Sequence, residues 1–373
     1  MTALLTESPS PGLAALAFGL AALAVVGNDA VQTLGPFLSS NRDRTPRWVQ
    51  GLFIGALLVL VLLLGWWRGD GDPSWGRLAT FPATVPLAWT DLLPPLAVLA
   101  LTAWGAPVST TVLLLAAVAP AASSDLVLRS VLGYGLALGV ALPVYLLLGV
   151  HQDPASPPSP WWTPLQWLAT GWLWTQWLIQ DLANVYVYLP RPLAAGPLAL
   201  SLAALLLAVA VLLLGRGGPV QKVVEAKTDS HDRRSATLIN LVYGLILFGL
   251  GRWSPRPLST TWVFLGLLAG RELALTCWRR PRPWGATGRL LASDLAKAIA
   301  GLAVSLALAL GPGRLSGAVA GVHPGMLPRT DAAPPTAPAA ETLEPGGPAA
   351  GPGHRPADAA GGAVGPDRAA ADP

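Results

Sequence analysis

Two pairs of polar motifs interrupt an otherwise apolar chain, and their residue types are those that bind ions. Asn28-Asp29-Ala30-Val31-Gln32 is followed, 80 residues past Asp29, by Ser109-Thr110-Thr111. Gln180-Asp181-Leu182-Ala183-Asn184 is followed, 78 residues past Asp181, by Ser259-Thr260-Thr261. A carboxylate within a membrane segment is costly and marks a functional site by default. Asp29 and Asp181 would each take a hard cation such as sodium, or a proton. The amides of Asn28, Gln32, Gln180 and Asn184 add oxygen acceptors for a cation and N–H donors for an anion. Each Ser-Thr-Thr motif follows a proline at the same offset, Pro107 and Pro257. Proline ends one helix and Ser or Thr caps the next. Each motif therefore presents a helix start, with its unpaired N–H groups and positive dipole end, to an oxyanion. Simple N-capping accounts for any one motif taken alone. Four motifs in two nearly equally spaced pairs point instead to an internal repeat around one polar site. In that site Asn28, Asp29, Gln32, Gln180, Asp181 and Asn184 bind coupling ion and substrate, and Ser109, Thr110, Thr111, Ser259, Thr260 and Thr261 bind the anion.

The elements that must position these residues are membrane helices. The 373 residues are 53% hydrophobic and only 12% charged, with a mean hydropathy of +0.52. That balance fits an integral membrane protein and not a soluble domain. Trp48–Trp67 and Pro197–Gly215 are the clearest runs of spanning length. The residues before Gly12 include no Lys or Arg, so the first run reads as a retained helix and not a cleaved signal peptide. A pI near 9.6 reads as basic loop anchors that orient a membrane protein, not as nucleic-acid binding. The single cysteine, Cys277, excludes an intrachain disulfide and a cysteine-built metal site. The four histidines (His151, His231, His323 and His354) fall in loops or the tail, so no metal site is expected beyond a sodium at Asp29 and Asp181. The chain has no phosphate-binding loop, nucleotide fingerprint or Ser/His/Asp arrangement, which argues against an ATP-driven pump and against a hydrolase. No cofactor is expected apart from sodium or a proton as coupling ion.

Ten hydrophobic segments are expected, at roughly 12–38, 48–67, 84–105, 107–121, 126–149, 162–190, 195–215, 236–252, 257–275 and 291–311. Three basic clusters orient them: Arg42, Arg44 and Arg47; Arg216, Lys222, Lys227, Arg233 and Arg234 in the most polar internal loop; and Arg279, Arg280, Arg282 and Arg289. With the N-terminus outside, all three fall on the cytoplasmic side. The loop at 151–160 has no basic residue and gives no support. Segments one and six then run in opposite directions. The expected fold is an all-α integral membrane protein of two inverted five-segment repeats, 12–149 and 162–311, with broken helices or re-entrant hairpins near the midplane. Segments three and four are short and Pro-interrupted, and either two spans or a re-entrant hairpin preserves the inversion. Ser124-Asp125-Leu126 and Ser293-Asp294-Leu295, followed by Arg129 and Lys297, are a third correspondence between the halves. Residues 312–373 are Pro, Ala and Gly with scattered charge and read as a disordered tail.

Other polar residues have plainer readings. Arg271-Glu272 reads as an internal ion pair. Asp125 with Arg129, and Asp294 with Lys297, read as structural pairs near segment ends. Asp91 is unassigned. The sixteen tryptophans, dense between Trp161 and Trp177, read mostly as interface belt and packing.

At the four motifs the sequence resembles the inorganic phosphate transporter family, the PiT-type permeases, whose two inverted halves each carry a Gly-Ala-Asn-Asp-Val-Ala-Asn-Ala motif and a later Pro-Val-Ser-Thr-Thr-His. Gly27-Asn28-Asp29 through Gln32, with Gly35-Pro36 behind, looks like the first copy, and Gln180 through Asn184 like the second. Pro107-Val108-Ser109-Thr110-Thr111 and Pro257-Leu258-Ser259-Thr260-Thr261 look like the serine–threonine motifs. The layout matches over about residues 12 to 311, and the match is specific only at the motifs. Gln32 and Gln180 stand where the family has asparagines, the alanine between Gly27 and Asn28 is missing, and Val112 and Trp262 stand where it has histidines. The resemblance implies cation-coupled uptake of phosphate across the cell membrane. A sulfate permease of the same fold and a transporter-derived anion sensor or non-transporting subunit are the alternatives. The partners expected are a small inorganic anion and the lipid bilayer, with no nucleic acid and with a homodimer left open.

Overall fold

Long apolar runs bounded by Pro, Gly and Arg set the elements. The computed structural model describes residues 11–85, 87–105, 108–148, 159–228, 232–254, 256–279 and 284–309. The expected tail at 312–373, the four histidines, Pro107, Arg280, Arg282 and most of the loop at 151–160 lie outside the described residues. Within those residues the chain is helical and has no strand. The elements are α1 (Pro11–Val25), a π-helical turn (Val26–Ala30), α2 (Val31–Ser40), α3 (Arg47–Arg68), α4 (Leu93–Ala103) and α5 (Thr110–Val118). Then come α6 (Ser123–Leu148), α7 (Trp162–Gln180), a 3-10 stretch (Leu182–Tyr188), α8 (Ala195–Leu214), α9 (Gly218–Thr228), α10 (Arg233–Trp253), α11 (Thr260–Arg279) and α12 (Trp284–Ala309).

Six helical stretches among the described residues are long and apolar enough to cross a membrane: Pro11–Ser40, Arg47–Arg68, Pro120–Leu148, Ala195–Leu214, Arg233–Trp253 and Thr287–Leu308. The protein is thus a multi-pass membrane protein. α7 and α11 reach 19 and 20 residues but carry Gln166, Gln176 and Gln180, and Arg271 with Glu272. α4 and α5 have 11 and 9 residues. At 1.5 Å per residue they are about 16 and 13 Å long, short of the ~30 Å hydrocarbon core, so neither crosses alone.

Two local features differ from expectation. The first run, expected over about 12–38 with Gly35-Pro36 near its end, continues through Pro36 inside α2 to Ser40. Pro36 has no N–H for the Gln32 carbonyl four residues before it, and the helix runs on packed against α9, whose Gln221 Nε2 bonds the Gly35 carbonyl at 3.1 Å. The polar loop expected at 216–234 contains α9, which packs on α2. Arg42 pairs with Glu225 of α9 at 2.5 Å.

The outer helices bury one stripe and expose the other. In α8, Leu198, Leu202, Leu205, Val209 and Leu212 are buried, while Leu200, Leu207 and Leu214 are exposed, the 3.6-residue pattern of a helix with one face to protein and one to lipid. Trp48 and Trp67 are exposed at the two ends of α3, as amphipathic rings at the bilayer interfaces would be. α6 and α11 pack most intimately. A Cβ on Gly270 would lie 2.8 Å from the Leu138 carbonyl oxygen, and one on Gly266 would collide with the Tyr134 carbonyl. Two glycines four residues apart let helix backbones approach closely where the hydrophobic effect cannot drive association.

Around the centre, α1 packs on α4 and α7 on α10, α5 on α12 and α11 on α6, and α1 on α8 and α7 on α3. The end of α2 meets the start of α7: Asn41 Nδ2 donates to Gln166 Oε1 at 3.0 Å, and Gln166 Nε2 bonds Ser40 Oγ. At the far face Arg191 clamps the loop after α3, donating to the carbonyls of Leu78, Phe81 and Pro82 and pairing with Asp72 at 3.4 Å. Burial pushes the Arg191 pKa down, and Asp72 counters it. Asp91, unassigned from sequence, accepts the Ala88 N–H at 2.7 Å and starts the turn before α4. The expected pairs Asp125–Arg129 and Arg271–Glu272 form, at 2.8 and 2.9 Å.

Candidate functional site

All twelve residues singled out in the sequence converge, and none is more than 4% exposed. Asp29 lies in the π-turn between α1 and α2. Such single-turn widenings are frequent at functional sites, because the extra residue turns a side chain out of the regular helical register. Asp181 lies in the corresponding place but in a different backbone. α7 stops at Gln180, Asp181 takes φ −125° and ψ −56°, and a 3-10 stretch follows. The expected broken helix is therefore found at Asp181, whereas the path through Asp29 stays continuous.

The serines and threonines divide the work. Ser109 caps α5, its Oγ accepting from Val112 N–H at 3.2 Å. Ser259 Oγ accepts from Trp262 N–H at 3.3 Å. The threonines turn to the carboxylates. Thr110 donates to Asp29 Oδ2, and Thr261 Oγ1 stands 3.1 Å from Asp29 Oδ1. Thr260 donates to Asp181 Oδ2 and Thr111 to Asp181 Oδ1. Each aspartate thus takes one threonine from the motif 80 or so residues downstream of it and one from the other motif. The amides follow the same rule: Gln32 Nε2 lies 3.4 Å from Thr261 Oγ1, and Asn184 Nδ2 lies 3.4 Å from Thr111 Oγ1.

The flanking carboxamides stand behind this set. Gln32 Nε2 donates to Asn28 Oδ1 and Asp29 Oδ1, each at 3.2 Å. Asn28 Oδ1 also accepts the Val108 N–H at 3.2 Å, which ties the turn before α5 to the π-turn. Gln180 Nε2 bonds the Leu247 carbonyl of α10. Three amide oxygens, Gln32 Oε1, Gln180 Oε1 and Asn184 Oδ1, are buried without a hydrogen-bond partner. A buried acceptor without a donor costs about 1–3 kcal/mol. Two carboxylates lie among these carboxamides, an oxygen-rich, electron-rich surrounding that suits a hard cation.

The structure adds residues that the sequence reading missed. Trp177 Nε1 donates to Asp181 Oδ2 at 3.1 Å, and its ring stacks on Trp174 at 4.8 Å. Its position four residues before Asp181, on the same helix face, was the available signal. Thr102 accepts from Asn28 Nδ2 at 2.8 Å, and Tyr243 OH donates to the Thr260 carbonyl at 2.8 Å. Neither lies near a motif in sequence, and nothing local marked them.

Among solved structures the chain is similar to "The sodium-dependent phosphate transporter", with a TM-score of 0.57 and 13% identity over 82% of this chain and 98% of that one. No family model and no curated protein matches. At that identity the likeness bears on the fold: the described residues form an all-helical, multi-pass membrane protein that shares the fold of that structure.

Proposed function

We propose that this protein is a secondary active transporter that carries an inorganic oxyanion, phosphate foremost, across the cell membrane in company with a cation. The observation that carries the reading is the crossed pairing of Asp29 and Asp181 with the four threonines of both Ser-Thr-Thr motifs. The similarity to a sodium-dependent phosphate transporter supports it.

The two halves are an inverted repeat in this reading. Exchanging α1 with α7, α3 with α8, α4 with α10, α5 with α11 and α6 with α12 turns each of the central helix contacts into another observed contact. The end of α2 meeting the start of α7 supports opposite directions for the two leading helices. Arg42 paired with Glu225 and Arg233 bonded to Thr163 gather two basic clusters on one face, as a cytoplasmic side would require. That choice leaves the N-terminus outside.

A threonine hydroxyl has one proton to donate. In the present state the carboxylates accept from Thr110, Thr111 and Thr260, and Thr261 Oγ1 stands 3.1 Å from both Asp29 Oδ1 and the Val108 carbonyl. Two positive charges, a sodium or a proton at each of Asp29 and Asp181 with the orphaned amide oxygens as further sodium ligands, neutralise the carboxylates and free the hydroxyls for an oxyanion. Cation binding then precedes anion binding, and neither ion is favoured alone. Thr111–Asp181 and Thr261–Asp29 join the two halves, so rocking of one half against the other exchanges these bonds.

Uptake of labelled phosphate into proteoliposomes under imposed sodium or proton gradients, with sulfate as competitor, tests this reading. Gradient-driven phosphate accumulation is expected. Binding without flux under any gradient would instead indicate an anion sensor, and preference for sulfate would indicate a sulfate permease.

A further inference from the structure

A second polar cluster gathers at Ser254, which follows α10 five residues before Ser259. Arg77, from the loop after α3, is only 4% exposed and donates Nη1 to the Ser254 carbonyl at 3.1 Å. Its Nε and Nη2 are buried without a partner. Those two nitrogens form the side-on edge of a guanidinium, the edge that binds carboxylate and phosphate oxygens in bidentate fashion. Ser74 Oγ, on the same loop, is also buried without a partner. Arg129 donates Nη1 to Ser254 Oγ at 2.6 Å and Nε to Asp125 at 2.8 Å, and Arg256 stands 3.6 Å from Asp125. Two guanidiniums thus pair with Asp125, and the third, Arg77, joins the cluster through the Ser254 carbonyl. Burial lowers the Arg77 pKa to about 10, against the pull of the Asp181 carboxylate, so it stays charged at neutral pH. A cavity of about 260 Å³, lined by Thr80, Phe81, Asp125, Arg256 and Pro257, opens beside the Asp125–Arg256 pair. The segment that carries Ser254 and Arg256 leads directly into Ser259-Thr260-Thr261.

We propose that Arg77, with its free side-on edge, is the anchor of a second oxyanion site, a vestibule that loads a tetrahedral phosphate-type anion ahead of the central threonines. The loading role rests on the transporter reading above, whereas binding at Arg77 is measurable without transport. An unpaired buried guanidinium edge is otherwise a standing cost, and an excess of guanidiniums over carboxylates draws anions to the cluster.

The test is equilibrium binding of radiolabelled inorganic phosphate to the full chain in neutral phosphatidylcholine nanodiscs. The wild type is expected to show two classes of site, the weaker one sensitive to salt. Arg77→Gln removes that class or weakens it by roughly tenfold or more, the scale of one charge-assisted bond. Arg77→Lys, which keeps the charge and loses the fork, falls between. An Arg77→Gln protein that melts like the wild type and binds phosphate like the wild type overturns the proposal. If Arg77→Gln does not fold, Arg256→Gln decides: its side chain is 54% exposed, and a several-fold weaker second class supports the site while an unchanged one overturns it. Loss of that class when phosphatidylglycerol replaces part of the lipid overturns the free anion as ligand and assigns the edge to a lipid phosphate. Absence of the tighter class in the wild type counts against the central site, while the Arg77-dependent class stands or falls separately.

Discussion

Thr111 in α5 donates its hydroxyl to Asp181 at the end of α7, across 70 residues of chain. Its counterpart Thr261 makes the mirrored approach to Asp29, 3.1 Å away and across 232 residues. These two bonds link the halves, whereas Thr110 and Thr260 each serve the aspartate of their own half. Thr111→Val with Thr261→Val should therefore loosen the link between the two halves. Interhelical bonds in membranes are worth about 0.6–2 kcal/mol each, and the double variant should melt lower by a corresponding amount and lose most of its uptake. Melting curves and initial uptake rates measured on one preparation check both effects.

The serines make a contrasting prediction. Ser109 and Ser259 accept backbone N–H groups in this structure. Ser109→Ala and Ser259→Ala should each cost about 1 kcal/mol of stability as lost caps, and change the phosphate KM less than Thr110→Val or Thr260→Val. A serine variant that keeps wild-type stability but loses phosphate affinity would return the serines to the anion site.

The single proton on each threonine hydroxyl sets an order of binding. Phosphate affinity, measured by equilibrium binding on the purified protein, should rise steeply with sodium and be weak in choline. Reciprocity of coupling requires that phosphate tighten sodium binding by the same factor. Phosphate affinity independent of sodium at constant pH would leave protons as the coupling ion and remove the role given to the orphaned oxygens of Gln32, Gln180 and Asn184.

Gly266 has no room for a side chain against the Tyr134 carbonyl. Gly266→Val should separate α6 from α11 and abolish the folded, monodisperse protein, as size-exclusion chromatography in detergent would show. Gly249, around which a Cβ meets nothing, provides the control: Gly249→Ala should run as wild type.

The burial of the twelve candidate residues was legible because polar side chains are expensive in an apolar chain, and a doubled, nearly equally spaced expense has few causes. The fold was legible to the level of an all-helical membrane protein for the same reason. What escaped lay in interactions that hydropathy does not encode. The packing of α9 on α2 rests on contacts such as Gln221 with the Gly35 carbonyl, 186 residues apart. The division between capping serines and carboxylate-bound threonines is a matter of side-chain rotation at a helix start. Arg77 and Arg191 look alike in sequence as single loop arginines, yet one clamps a loop with four acceptors and the other keeps an edge free.

The central claim is that Asp29 and Asp181 join the two halves of one cation-coupled anion site. The most direct measurement is gradient-driven phosphate uptake by proteoliposomes holding the Asp29→Asn, Asp181→Asn double variant, with its folding verified by melting. The amides remove both charges at nearly constant volume, so uptake should lose its response to the sodium or proton gradient. Coupled accumulation at the wild-type rate by the folded double variant would contradict the account.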